Sequence, residues 1–317
     1  MRVTPRSLAV LAAVFITACA GALRAENGLT GAAILNRPIA ARASGMGRAF
    51  AAIPGDPESV MFNPAGPGFV TGNSLNVGYM NGFGGGAYGF AAAPIKINKF
   101  VLTPACIYYD SGKMSLTQAD VVKGEVTAEL DKTGIISAAY TPLPALSVGG
   151  SVKFTSINLA QTASASARQY DLGVLWKLEN GLSFGAASLN NGGDIKFEQK
   201  GDPAPAALRA GLAYKLNITQ LYLLDTSADI SYGDVVLTAD WSRVLKEKGY
   251  YQSGLEFNMK MMQLAMLALR FGYMFNRAEE GFTFGFGVKT GSWNFDFGYE
   301  ISKDLKSRHP AALSYKF

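Results

Sequence analysis

Between residues 281 and 317 the chain alternates apolar with small or polar residues almost without interruption. Phe282, Phe284, Phe286 and Val288 are separated by Thr283, Gly285 and Gly287. After Gly291 and Ser292, the residues Trp293, Phe295, Phe297, Tyr299 and Ile301 are separated by Asn294, Asp296, Gly298 and Glu300. Leu313, Tyr315 and Phe317 repeat the pattern around Ser314 and Lys316. A period of two belongs to strands with two unlike faces. A soluble sandwich also alternates, but here the pattern ends on an aromatic residue with nothing left to cover it. Such a face is a liability in water. It is stable in lipid if the strands close into a barrel, because closure leaves no unpaired backbone edge.

The same alternation begins near residue 73. Turn signals punctuate it at 82–86, at Pro142 and Pro144, at Asn180-Gly181 and at Gly291-Ser292. The polar stretches 110–131, 158–167 and 190–204 read as loops, the first with room for a small hairpin of its own. Residues 261–269 alone would pass for a helix, but the alternation after Ala265 makes them strand. The count is about 14 strands, or 15 to 16 if 121–130 pairs, and single-chain bacterial barrels favour even numbers. The predicted fold is all-β: a closed antiparallel transmembrane β-barrel with a short helical N-terminal plug in its lumen.

Composition agrees. Charged residues make up 17% of the chain, against about 25% in soluble domains. The 36 glycines suit turns and small inward strand positions better than helices. Lys153, Arg209, Asp240, Glu256, Arg270, Asp296 and Glu300 all fall on the small or polar side of their segments. On the lipid side at the bilayer midplane an Arg or Lys would cost about 2–4 kcal/mol, and an Asp or Glu somewhat less. They are therefore assigned to the lumen.

Residues 1–25 form a targeting segment, with Arg2 and Arg6 ahead of an apolar run at 8–16 and cleavage after Ala20 or Ala25. Ile16-Thr17-Ala18-Cys19 also resembles a lipobox, which would lipidate Cys19 and allow an anchored soluble β-protein. Removing Arg2, Arg6 and Arg24 lowers the formal charge from +5 to +2, so the basic balance does not point to nucleic acid. Cys106 is then the single cysteine, and no disulfide framework is available. Residues 26–72 read as a plug or hatch, and 73–317 as the barrel. The plug reading rests on an Ala-rich helix-like run at 39–53, Pro54-Gly55-Asp56-Pro57, and Phe62-Asn63-Pro64-Ala65-Gly66. Gly45 and Gly47 permit close approach to a neighbour, Pro64 fixes the turn after Asn63, and Arg42 is placed to pair with a lumen carboxylate.

Apparent chemical motifs fail on context. Gly84-x-Gly86-x-x-Gly89 is followed by strand and Pro94 instead of a helix. Gly181-x-Ser183-x-Gly185 opens a returning strand, not a strand–turn–helix. His309 is the only histidine, which excludes a multi-histidine metal site. Asp296 and Glu300 share a strand face but read as lumen charges, not as an acid pair. The chain is read as non-enzymatic, with no cofactor and no metal.

Taken in order, Arg42, Gly45, Gly47 and Arg48, then Asp56-Pro57 and Asn63-Pro64-Ala65-Gly66, resemble the N-terminal signature of the PorV/PorQ family, within the FadL-like group of outer-membrane barrels. Leu189-Asn190-Asn191, Asp202-Pro203, Gly254-Leu255-Glu256, Leu269-Arg270-Phe271 and the terminal Tyr315 and Phe317 extend the likeness over nearly the whole mature chain. The resemblance implies a 14-stranded barrel in the bacterial outer membrane. It implies a hatch at Asn63-Pro64-Ala65 and, at Phe317 with Tyr315, a signal for the barrel-assembly machinery. The partners it implies are outer-membrane lipid and either secreted cargo with type IX-like secretion proteins or, as in FadL-like channels, hydrophobic small molecules.

Overall fold

The alternating segments pair in sequence order, each antiparallel to the next, and the last pairs with the first. The structure, a computed structural model, describes residues 30–317 except 38, 83–84, 119–120, 200, 219–229 and 262–264. The targeting segment, its cleavage sites, Cys19 and Gly84 lie outside the described residues. The strands are β1 (Ser74–Asn81), β2 (Ala87–Ala92), β3 (Ile95–Ile97), β4 (Phe100–Asp110), β5 (Lys113–Gln118), β6 (Val121–Thr127), β7 (Glu129–Leu143), β8 (Leu146–Leu159), β9 (Ala163–Lys177), β10 (Leu182–Gly192), β11 (Ile195–Lys196), β12 (Gly201–Asp202), β13 (Ala207–Ile218), β14 (Ile230–Val244), β15 (Tyr250–Met261), β16 (Ala265–Phe275), β17 (Glu280–Thr290), β18 (Trp293–Ser302) and β19 (Ala311–Lys316).

Fourteen of these make the barrel, with β3 continuing β2 beyond Pro94 and pairing with β4. The seam closes through Leu75 opposite Tyr315 and Val77 opposite Leu313. No described helix is long and apolar enough to cross a membrane. The outward register is the greasy one, with Ile136, Leu172, Leu237, Phe271, Phe284 and Phe286 all exposed. Aromatic residues gather near both ends of the wall. Phe100, Trp176, Phe184 and Trp293 stand at one end, and Tyr108, Tyr251, Phe275 and Phe282 at the other. An apolar outer band between two aromatic girdles is the surface of an outer-membrane barrel. The turns 98–99, 144–145, 178–181 and 291–292 share one end, which is therefore periplasmic. The connections carrying β5–β6 and β11–β12 share the extracellular end. Strand lengths are uneven: β7 and β9 have 15 residues and β19 has 6.

Several local expectations needed correction. Residues 158–167 are not a loop. They are the ends of β8 and β9 around a tight turn, because Ile157 and Ala165 keep the inward alternation and are buried. Within 110–131 the expectation holds: β5 and β6 form the separate small hairpin for which the stretch has room, and it adds no strand to the barrel. The stretch 190–204 contributes the end of β10 and the small β11–β12 pair. The helix expected across 39–53 reduces to α1 (Ala41–Gly45). Beyond it, Gly47 and Arg48 take positive φ values of 62° and 59°, and the chain follows the barrel wall instead of its own hydrogen-bond ladder.

Candidate functional site

The segment before β1 runs inside the barrel and touches inward residues of most of the wall. Its local shape comes from side-chain caps. Both carboxylate oxygens of Glu58 accept from the first turn of α1, from Ala41 N at 3.0 Å and Arg42 N at 3.1 Å. Burial pushes the Glu58 carboxyl well above the usual carboxylate range, and the neighbouring Asp56 carboxylate adds to the shift. Asp56 accepts from Glu58 N at 2.8 Å and starts the 3-10 turn Pro57–Met61. Asn63 closes its own turn by accepting from Ala65 N at 3.0 Å. Its amide also donates to Ala51 O at 2.8 Å and to Val174 O of β9 at 3.0 Å, so one side chain joins two parts of the plug to the wall.

Where this backbone crosses the barrel, the wall is glycine. Four cross-strand pairs on the inner face, Gly149 with Gly173, Gly185 with Gly211, Gly254 with Gly272, and Gly285 with Gly298, lie in register. A Cβ on Gly185 would overlap the Ala51 carbonyl, and one on Gly149 the Pro64 carbonyl. On Gly272 it would overlap the Gly47 amide, and on Gly298 it would come within 2.8 Å of Ala41 O. Hydroxyls beside this belt bond the plug backbone. Ser147 donates to Ala65 O at 2.7 Å, Ser183 donates to Ala52 O at 2.9 Å, and Thr283 accepts from Gly47 N at 2.9 Å. Gly45 packs on Gly285, and Gly66 on Ser59.

Two ion-pair networks fasten the plug to one side. Arg42 pairs bidentately with Glu256 at 2.6 and 2.8 Å and reaches Asp56 at 2.8 Å. Glu256 also takes Arg270 at 2.7 Å, and Arg270 reaches Asp296 at 2.8 Å. Higher up, Arg48 pairs with Glu300, which also takes Arg308 at 2.9 Å. Arg308 continues to Glu280 at 3.1 Å, and Arg277 bridges Glu280 and Glu247 at 3.0 Å each. On the wall of β8, β9 and β10, Lys153 holds Asp171 at 2.8 Å and Asn190 at 2.6 Å. Arg209 lies over the Phe62 ring at 5.1 Å, and Asp240 accepts from Ala51 N at 2.8 Å.

The opposite side of the lumen is mostly apolar near the extracellular end, with Asp131 buried opposite Tyr109 and Arg37 donating to the Tyr88 hydroxyl. Met80, Tyr88, Phe90, Ile107, Tyr109 and Ile135 from β1, β2, β4 and β7 form one buried cluster with Ile34, Leu35 and Ile39 of the plug. A cavity of about 480 Å³ opens at this mouth, lined in part by Arg37, Arg48, Arg277 and Lys306.

The seven charged residues assigned to the lumen from sequence are all inward and buried. Asp296 and Glu300 belong to separate networks and make no acid pair. Glu58, Asp171 and Arg308 carry no assignment from sequence, and Arg48 only a place in the N-terminal signature. Their signal, a charge at an inward position or inside an Ala-rich run, is present but names no partner. His309 stacks on Tyr299 at 4.8 Å. Tyr315 packs on Trp293 at 4.6 Å, facing outward, and Phe317 is exposed at the end of the wall.

A closed 14-stranded antiparallel barrel entered by its own N-terminal segment is a fold shared with solved outer-membrane barrels of the FadL type. The chain is similar in structure to the Ralstonia pickettii toluene transporter TbuX, at a TM-score of 0.59 and 16% identity over 88% of this chain and 98% of that one. The CymD monoaromatic hydrocarbon channel gives 0.57 and 14% identity over 88% and 97%. A Pseudomonas aeruginosa FadL homologue gives 0.51 and 12% identity over 87% and 98%. No protein-family model and no curated protein matches the chain.

Proposed function

We propose that the barrel passes hydrophobic small molecules across the outer membrane and has no catalytic role. The division of the lumen carries this reading. One sector is bolted to the plug by ion pairs. The other, below the extracellular mouth, meets Ile34, Leu35 and Ile39 largely through apolar contact. A greasy solute replaces such contacts at little cost, since burying apolar area gains about 25 cal/mol per Å² whichever molecule supplies it. Structural relatives named as a toluene transporter and a monoaromatic hydrocarbon channel support the same solute class.

The PorV/PorQ resemblance supports a second reading, a partner in protein export or surface attachment. The observation in its favour is the β5–β6 hairpin, which stands apart from the barrel sheet and exposes Met114 and Leu116. One experiment separates the two. A deletion strain is compared with its parent for uptake of labelled toluene and long-chain fatty acid, and for its surface proteins. Slowed uptake with an unchanged surface is expected. Lost surface cargo with normal uptake would overturn the channel reading. In either reading Phe317 and Tyr315 present the outward aromatic end taken here as the barrel-assembly signal.

A further inference from the structure

The periplasmic mouth carries a collar of lysines that, Lys215 apart, no described carboxylate pairs with. Lys96, Lys177, Lys215, Lys260, Lys289 and Lys316 occupy inward-register positions at the periplasmic ends of β3, β9, β13, β15, β17 and β19. The outward register at that level holds Phe100, Trp176 and Trp293. The amines therefore crown the aqueous opening and do not face acyl chains. Lys215 pairs with Asp234 at 2.9 Å.

The other five form no ion pair with a described residue. Lys96 donates to Val70 O at 2.7 Å, Lys316 donates to Thr71 Oγ1 at 2.8 Å, and Lys177 lies 6.0 Å from the Phe69 ring centroid. These neutral partners fix the side chains, and no described carboxylate cancels their charge. Lys260 and Lys289 bond to no described side chain or backbone group. The carboxylates Asp56, Glu256 and Asp296, deeper in the 300 Å³ vestibule, are already held by Arg42 and Arg270. At the extracellular mouth, by contrast, Arg48, Arg277 and Arg308 are each matched by glutamates.

We propose that this collar docks an acidic segment of a soluble periplasmic protein at the barrel mouth. Uncompensated amines around one opening add their potentials across a Debye length of about 8 Å. They steer an anionic chain to the rim and hold it there. Their inward register fits a soluble polypeptide better than the phospholipid annulus.

The test uses the full mature barrel in phosphatidylcholine nanodiscs and the anisotropy of fluorescein-labelled poly-glutamate. Poly-glutamine and poly-lysine serve as controls. Poly-glutamate alone is expected to bind, with affinity falling steeply between about 50 and about 500 mM salt. Lys260→Gln with Lys289→Gln should weaken it about threefold to tenfold. Lys248→Gln with Lys306→Gln, at the other mouth, should not. Because Lys260 and Lys289 hold no described residue in place, both variants should keep the heat-modifiable gel mobility of a folded barrel. Absence of poly-glutamate binding overturns the proposal, and so does equal loss in both variants. So does intact peptide binding in the Lys260 and Lys289 variant with a change in co-purifying anionic phospholipid. No transported molecule is present, so the outcome is independent of the channel reading.

Discussion

Arg48 and Glu300 lie 252 positions apart in sequence and meet through two hydrogen bonds, Nε to Oε1 at 2.8 Å and the terminal nitrogen to Oε2 at 2.6 Å. Arg48 reaches this position from a backbone with φ of 59°, and both side chains are buried. Arg48→Ala leaves a buried carboxylate facing only Arg308. It should cost about 3–5 kcal/mol of plug docking. Limited trypsin digestion of the reconstituted barrel should release the N-terminal segment early in this variant. Arg48→Met with Glu300→Leu should recover part of the loss, since replacing a whole buried pair is far cheaper than breaking it.

The glycine belt predicts a sharp positional contrast. Gly185→Ala forces a methyl into the Ala51 carbonyl. It should displace the plug and cost about 1–3 kcal/mol. Gly134 of β7 faces outward with nothing near its added carbon, so Gly134→Ala should be silent. Spin-label distances from residue 50 to the extracellular rim should broaden in the first variant only.

Asn63 serves three backbone partners at once. Asn63→Ala should lower the urea midpoint of plug release by the equivalent of about 1–3 kcal/mol, because it leaves buried groups unpaired. Asn63→Asp keeps the acceptor to Ala65 but sets a buried carboxylate oxygen against the Ala51 and Val174 carbonyls, so it should cost at least as much as Asn63→Ala.

The three tryptophans report on the membrane. Trp176 and Trp293 sit in the periplasmic girdle, and Trp241 is near the extracellular end of β14. Their fluorescence in vesicles should be quenched more by lipids brominated near the headgroup than near the chain end. Equal indifference to both would contradict the spanning barrel.

The barrel was legible in the sequence because a two-residue period needs no knowledge of partners. Phe282 through Phe286 declare their outward face by themselves, as Asp240 and Glu256 declare an inward one. What was not legible depends on register. Nothing in Gly185 or Gly211 alone says that they stand side by side under Ala51. Arg48 in an Ala-rich run looked helical, yet its backbone is set by Glu300 and Gln252 of the wall. The stretch 158–167 misled because Ser and Ala carry little hydrophobic signal. Its strands rise beyond the membrane, where alternation is no longer enforced by lipid.

The six residues of β19 have one further effect. At about 3.4 Å per residue and a tilt near 45°, such a strand covers roughly 14 Å of height, against an apolar band of about 25 Å. The regular ladder at the seam between chain start and chain end is thus among the shortest in the wall. Lipid beside it must pinch inward or the cylinder must lean, so the bilayer around this protein is expected to be thinner on one flank than on the other.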